Sequence, residues 1–389
     1  MAIMIKRIPI TKVQLGMYIS EHTKGLSDIG IKTQGVIRKE DTIKKLLTHQ
    51  ITDIFIDTEK GIDSPFGLPI FENKQLLVPT VSLEEEKEKA TIIYDQAAGI
   101  AKNLINDVKL KNTINIEPIN ELAHHMSESV LRNPNALLCL SQIKNKDNYL
   151  LEHSINVGVI LGVFSKFLGY DQETVNHLIT GGILHDLGKI NIPDCILNKP
   201  AKLTPDEWVI MQSHVNQGVD ILEKSENIHP IAKEICKLHH EKLDGSGYPN
   251  GYDYNQLTQY SKMASIADIY DALTATRVYK KGRDPFSAIK LLHELAGKHL
   301  DRDLVYSFIR CFSVYPIGST VKLSNNTAGI VISTTINTPD RPIVKEVYCL
   351  RKKIRLTPRV RDLSQSQCMI HIQGIINPST HGFKAADFL

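Results

Sequence analysis

The sequence predicts a mainly α protein: an all-helical central bundle, a small α+β domain before it and a short β-rich appendage after it. Three observations carry this reading. Apolar residues recur at three-and-four spacing from Pro118 to about Phe312, short β-prone runs fill roughly the first 80 residues, and strand-like runs return beyond Tyr315. A chain of 389 residues is also long for one folded unit. The divisions fall at 1–80 for the first domain, 81–117 for a helical linker, 118–315 for the bundle and 316–389 for the appendage and tail.

The first domain offers ITKVQLGMYI, IKTQGVI and ITDIFIDTEKG as strands, with a helical pattern over Asp41–His49 between the second and third. Pro65, Pro69 and Pro79 punctuate the stretch after the third strand. The charged run LEEEKEKA then opens a long polar helix to about Lys109. Such runs mark solvated segments, so a connecting helix is expected, with coiled-coil homodimerisation as the sharper alternative. Within the bundle, Leu203-Thr204-Pro205-Asp206-Glu207 sets Thr204 at an N-cap and Glu207 where a capping box needs it. Asp244-Gly245-Ser246-Gly247-Tyr248-Pro249 reads as a loop, because that Gly/Pro density breaks helices. In the appendage, TVKLSN, AGIVIST and IVKEVYCL read as strands, and Pro378–Leu389 as a weakly structured tail.

Composition is that of a globular protein, 42% hydrophobic and 23% charged, and the net charge of +3 gives no basic field for a nucleic-acid polymer. Six scattered cysteines without a Cys-x-x-Cys pair fit reduced structural thiols. No h-region opens the chain, and the most apolar stretch, Val157–Phe164, is far shorter than the roughly 20 residues of a membrane span. A cytoplasmic protein with no membrane association is expected.

The central region collects His153, His185-Asp186, His214, His239-His240 and Asp268. Imidazole with carboxylate suits Fe or Mn, and also Zn or Ni, and a carboxylate can bridge two ions. A metal pair is a standard solution for phosphodiester hydrolysis. Each residue alone has a structural explanation: a lone histidine is more often a satisfied helix residue, and His185-Asp186 could close a helix. The identical dipeptide His124-His125, read as exposed helix surface, shows that the count of histidines decides little.

The flanking sequence decides more. HDLGKI (185–190) and HHEKLDGSGYPNG (239–251) resemble the two signatures of the HD-GYP family. HSINV (153–157), IPDCILNKPAKLTPDEW (192–208) and ADIYDALTATRVYK (267–280) resemble further family segments in the same order. The N-terminal KRIPITKVQLGMYI and DIFIDTEKG resemble a domain of unknown function that often precedes such domains.

The resemblance implies an HD-type all-helical catalytic bundle that hydrolyses cyclic di-GMP to linear pGpG, in some members on to GMP; related members act on cyclic GMP-AMP. It implies two divalent metal ions. His153, His185, Asp186 and Asp268 would hold one, and Asp186 would bridge to a second held by His214 and one or both of His239 and His240. A hydroxide between the metals would be the nucleophile. Lys189, at i,i+3 from Asp186, would contact the scissile phosphate and stabilise developing charge. Arg277 and Lys280, placed near the pocket rim if the helix of Asp268 runs on that far, would bind phosphate or a guanine. Tyr248 would either line the substrate pocket or serve structure and partner docking, the second being favoured because a phenol adds nothing a metal hydroxide needs.

Two departures matter. Tyr149 stands where some members carry a glutamate that supports a third metal, which favours two metals and pGpG as the product. Val278 replaces a common proline, which would let that helix run a turn longer. The competing readings are a module that binds a cyclic dinucleotide or docks partners without turnover, and a general HD-type phosphohydrolase.

Overall fold

A computed structural model describes residues 5–389 apart from 22, 24–25, 27–29, 33, 50, 52, 65–67, 71–76, 143–148, 276–281 and 335–337. The first domain is an antiparallel sheet of β1 (Ile5–Pro9), β2 (Tyr18–Ile19), β3 (Gly35–Val36), β4 (Asp53–Asp57) and β5 (Leu68–Ile70), with α1 (Glu40–Thr48) between β3 and β4. The sheet order is β3-β2-β4-β1-β5, which puts β1 beside β4 with Ile8 opposite Ile54. Ile8, Ile54, Ile56, Met17 and Leu46 form its buried core. The run ITKVQLGMYI is mostly not a strand. It turns as a 3-10 helix at Ile10–Lys12, and Gly16 bends it at a φ of +92° before the short β2. The strand preceding it, β1, ends on Pro9, which cannot donate to a ladder.

The long helix α2 (Leu83–Lys111) begins at Ser82, whose hydroxyl accepts from the Glu85 backbone N–H, and ends at Asn112 in the left-handed conformation. It is not a solvated connection. Ala90, Ile93, Ala97, Leu104 and Val108 lie at helical spacing in the bundle core. The surface charges of LEEEKEKA conceal this stripe, and one of them is not on the surface: Glu86 is fully buried and bidentate with Arg132 at 2.7 and 3.0 Å.

The bundle continues with α3 (Glu117–Arg132), α4 (Pro134–Ser141), α5 (Tyr149–Phe167) and α6 (Gln172–Leu184). A 3-10 turn at Leu187–Asn191 leads to α7 (Asp194–Leu197), α8 (Pro205–Gln212), α9 (His214–Lys224) and α10 (Pro230–Leu238). The loop holding Tyr248 comes next, then α11 (Gln259–Thr274), α12 (Pro285–Leu295) and α13 (Arg302–Phe312). Helices α5 and α6 cross closely because glycine faces glycine: a Cβ on Gly182 would stand 2.8 Å from the Gly158 Cα. The capping box at Thr204 forms, with both of its hydrogen bonds.

The appendage is a second antiparallel sheet of β6 (Thr320–Leu323), β7 (Thr327–Ser333), β8 (Ile343–Cys349), β9 (Ile354–Asp362) and β10 (Ile372–Ile375), ordered β10-β6-β7-β8-β9. The tail beyond it is docked, contrary to the reading from sequence. Phe383 is buried, Phe388 and Leu389 pack on the same cluster, and Lys345 and Lys87 donate to the Phe388 and Leu389 carbonyls at 2.7 and 2.6 Å. Among the described residues no helix is long and apolar enough to cross a membrane.

Arg132→Ala strands the buried Glu86 carboxylate without a counter-ion. Urea denaturation should show a loss of about 3 kcal/mol; an unchanged midpoint would mean that Glu86 finds water instead.

Candidate metal centre

The predicted ligands come from five helices and the turn after α6, and most of them stand at helix ends. His153 lies within α5 and Asp268 within α11, His185 closes α6, Asp186 opens the 3-10 turn, His214 starts α9, and His239 closes α10 with His240 next to it. All are buried except His240, which is partly so. Two groups of potential ligand atoms result: Asp186 with His214, His239 and His240, and His153 with His185 and Asp268.

Asp186 joins them. Its Oδ1 is 3.3 Å from His214 Nε2 and 3.6 Å from His239 Nε2, while its Oδ2 is 3.3 Å from His185 Nε2 and 3.5 Å from His153 Nε2. Asp268 Oδ1 stands 3.1 Å from His153 Nε2, and its Oδ2 stands 3.6 Å from His240 Nδ1.

The tautomers are fixed from behind. His153 Nδ1 donates to Asp271 at 2.8 Å, His185 Nδ1 to the Gly182 carbonyl at 2.7 Å, and His214 Nδ1 to the Met211 carbonyl at 2.6 Å. His239 Nδ1 lies 3.0 Å from the Cys236 carbonyl. A neutral imidazole with its proton on Nδ1 turns a bare Nε2 lone pair inward. Burial lowers the pKa of His214 and, with the neighbouring His239, holds that of His240 far down, so both favour the neutral form a metal needs. Burial would raise the Asp186 carboxyl, but Lys189 and the histidines outweigh it and hold it well below the carboxylate range. At Asp268 the same burial is outweighed by His153, 3.1 Å away, and by His240, so its carboxyl is held low as well.

The fit to metal rests on atoms left over. His185 Nε2, His214 Nε2, His239 Nε2 and Asp186 Oδ1 are buried without a hydrogen-bond partner, an arrangement that costs folding energy unless a cation satisfies it. Lys189 donates to Asp186, as the i,i+3 spacing allows, though on a 3-10 turn.

Close packing sets these distances. A Cβ on Gly188 would lie 1.9 Å from the His214 carbonyl oxygen and 2.5 Å from the Gly218 nitrogen, so only glycine lets the turn after Asp186 seat against α9.

An HD domain profile matches residues 138–304, and a domain of unknown function (DUF3391) matches 5–119. A cyclic di-GMP phosphodiesterase of Pseudomonas aeruginosa is 30% identical across 99% of this chain and 95% of its own length. The chain belongs to the HD-GYP family of metal-dependent phosphohydrolases. A 3'3'-cGAMP-specific phosphodiesterase of Vibrio cholerae is 47% identical over 77% of the chain, which spans about half of that relative (52%). Among solved structures, an HDG"Y"P protein from Bdellovibrio bacteriovorus aligns over 78% of this chain and 98% of its own, with 17% identity and a TM-score of 0.48.

In this HD-GYP chain Tyr248 lies against His240, their ring centroids 4.6 Å apart. The histidines His124 and His125 stay out of both ligand groups, and His124 pairs with Glu128 on the helix surface. The helix of Asp268 does not run on to Lys280: α11 ends at Thr274, and Ala275 is extended. Arg277, Val278 and Lys280 lie outside the described residues, as does the side chain of Tyr149. Sequence reasoning missed Asp271 and Glu241. Asp271 stands one turn after Asp268, the spacing that could have flagged it. Buried Glu241 accepts from the backbone of Asn250 at 2.8 Å and Tyr252 at 3.1 Å, tying down the Gly-Tyr-Pro loop.

Gly188→Ala must push α9, and His214 with it, away from Asp186. Denaturation should report a loss of about 2 kcal/mol, and elemental analysis should find less metal per chain than in the wild type. Full metal content would show that the close approach is dispensable.

Proposed function

We propose that this protein is a cytoplasmic cyclic-dinucleotide phosphodiesterase that converts cyclic di-GMP to pGpG at a dinuclear His/Asp site. The single observation that carries the reading is the Asp186 carboxylate, which offers one oxygen to each ligand group. The full-length likeness to a cyclic di-GMP phosphodiesterase supports the substrate. The higher identity to a 3'3'-cGAMP-specific relative favours that dinucleotide as a second reading.

His153, His185, Asp186 and Asp268 would hold one ion, and Asp186, His214, His239 and His240 the other, with Fe or Mn as the fitting metals. Divalent cations there supply Lewis acidity, lowering the pKa of water and screening phosphoryl oxygens. The protein's own part is orientation and charge. His153, His185, His214 and His239 turn Nε2 inward, and Asp186 stays ionised. The Lys189 ammonium is the part-exposed neighbour of the wholly buried Asp186, placed to meet a phosphoryl oxygen entering from solvent. Arg277, Lys280 and Tyr248 complete the proposed substrate contacts.

Anaerobically purified protein loaded separately with Fe, Mn, Zn and Ni should be incubated with cyclic di-GMP and 3'3'-cGAMP, and the products separated chromatographically. pGpG should accumulate; both substrates surviving with every metal would sink the proposal. Lys189→Met should lower kcat by about 10²-fold or more while metal content stays constant, whereas Asp186→Asn should lose both metal and activity.

A further inference from the structure

We propose that Trp208 is the base-stacking platform of the substrate site, a nucleobase subsite at the outer end of a line of aromatic rings. The inference rests on the cyclic-dinucleotide reading above and deepens it.

The line starts at the metal centre. His240 packs on Tyr248 with ring centroids 4.6 Å apart, and Tyr248 meets Trp208 edge-on at 6.0 Å and 77°. The last ring opens to solvent: Trp208 is 46% exposed. Folding does not explain the indole's place. Helix α8 buries none of its residues, and its start is held by the Thr204–Glu207 capping box and the Lys199–Glu207 ion pair at 2.6 Å. A large aromatic left half-exposed on a helix without a buried residue is the kind of residue that serves a ligand.

The chemistry of that ligand comes from position. Trp208 lies in α8, directly before the helix that His214 starts, and its ring meets Tyr248, so it is placed beside the clusters. A phosphodiester held at the clusters carries a planar base beyond each ribose, and a base extending over Tyr248 reaches the indole. A protein-docking patch fits less well. The other exposed apolar residues of α8, Val209 and Ile210, turn away by about 100° per residue and share no face with Trp208. Stacking uses the π-face that every base has. The platform therefore tightens binding of cyclic di-GMP and 3'3'-cGAMP alike and does not choose between them.

The chain has a single tryptophan, so its emission reports this position alone. Titrating the metal-loaded full chain with a cleavage-resistant phosphorothioate analogue of cyclic di-GMP should change that emission saturably. In steady-state assays Trp208→Ala should raise KM about tenfold for both dinucleotides with kcat within about twofold, the signature of lost uniform binding, and Trp208→Phe should restore most of it. Unmoved emission while calorimetry records binding overturns the platform and leaves the substrate reading standing, as does an unchanged KM in Trp208→Ala. No calorimetric binding of either dinucleotide to the wild type overturns both.

Discussion

The Asp186 carboxylate is the point on which the rest of the bundle is built. It is fully buried, and each oxygen must face a different set of histidines drawn from α5, α6, α9 and α10. Those helices can converge on one carboxylate only if their backbones approach more closely than ordinary side chains allow. Glycine supplies the approach where it is needed, with Gly188 under the His214 carbonyl and Gly182 against Gly158. The packing that defines the core and the geometry that defines the site are therefore one requirement.

The same arrangement addresses the cost of burying so many polar groups. Three of the histidines anchor Nδ1 on carbonyls in the last turn of a helix: Gly182 for α6, Met211 for α8 and Cys236 for α10. The last carbonyls of any helix lack intrahelical partners. An imidazole set just past the end thus satisfies an orphan acceptor and fixes its own tautomer together. A helix C-terminus favours the imidazolium, yet at His214 burial outweighs this and the neutral form is preferred. These three histidines sit just past helix ends because that is where backbone carbonyls are left to accept a hydrogen bond.

This logic explains which residues were readable in advance. His153, His185, Asp186, His214, His239, His240 and Asp268 were legible because the short strings around them are set by local demands: a turn at Gly188, a loop at Gly245 and Gly247, a capping box at Thr204. Long-range demands leave weaker marks. The strand β9 was missed because its residues are largely exposed and Pro358 interrupts the alternation of Ile354, Leu356 and Val360, and β1 because it is short and ends in proline. Helix α2 was misread for the opposite reason: its charges are conspicuous, while its buried stripe is built of alanines and well-spaced aliphatics that a charge run obscures.

The misread helix bears directly on the metal centre. From α2, the Tyr94 hydroxyl donates to Asn156 Oδ1 at 2.7 Å, and Asn156 Nδ2 donates to Asp271 at 3.2 Å. Asp271 in turn accepts from His153 Nδ1 at 2.8 Å, and His153 faces Asp268 and Asp186. Each link constrains the next, because a buried amide or carboxylate that loses a partner incurs its desolvation cost. The orientation of His153 therefore depends on where α2 sits. The DUF3391 match runs from the first domain through the whole of this helix. A displacement of α2 would act on the ligand through three hydrogen bonds, without any contact between the first domain and the substrate. What sequence presents as a linker is thus the first member of a buried hydrogen-bonded chain that ends on His153.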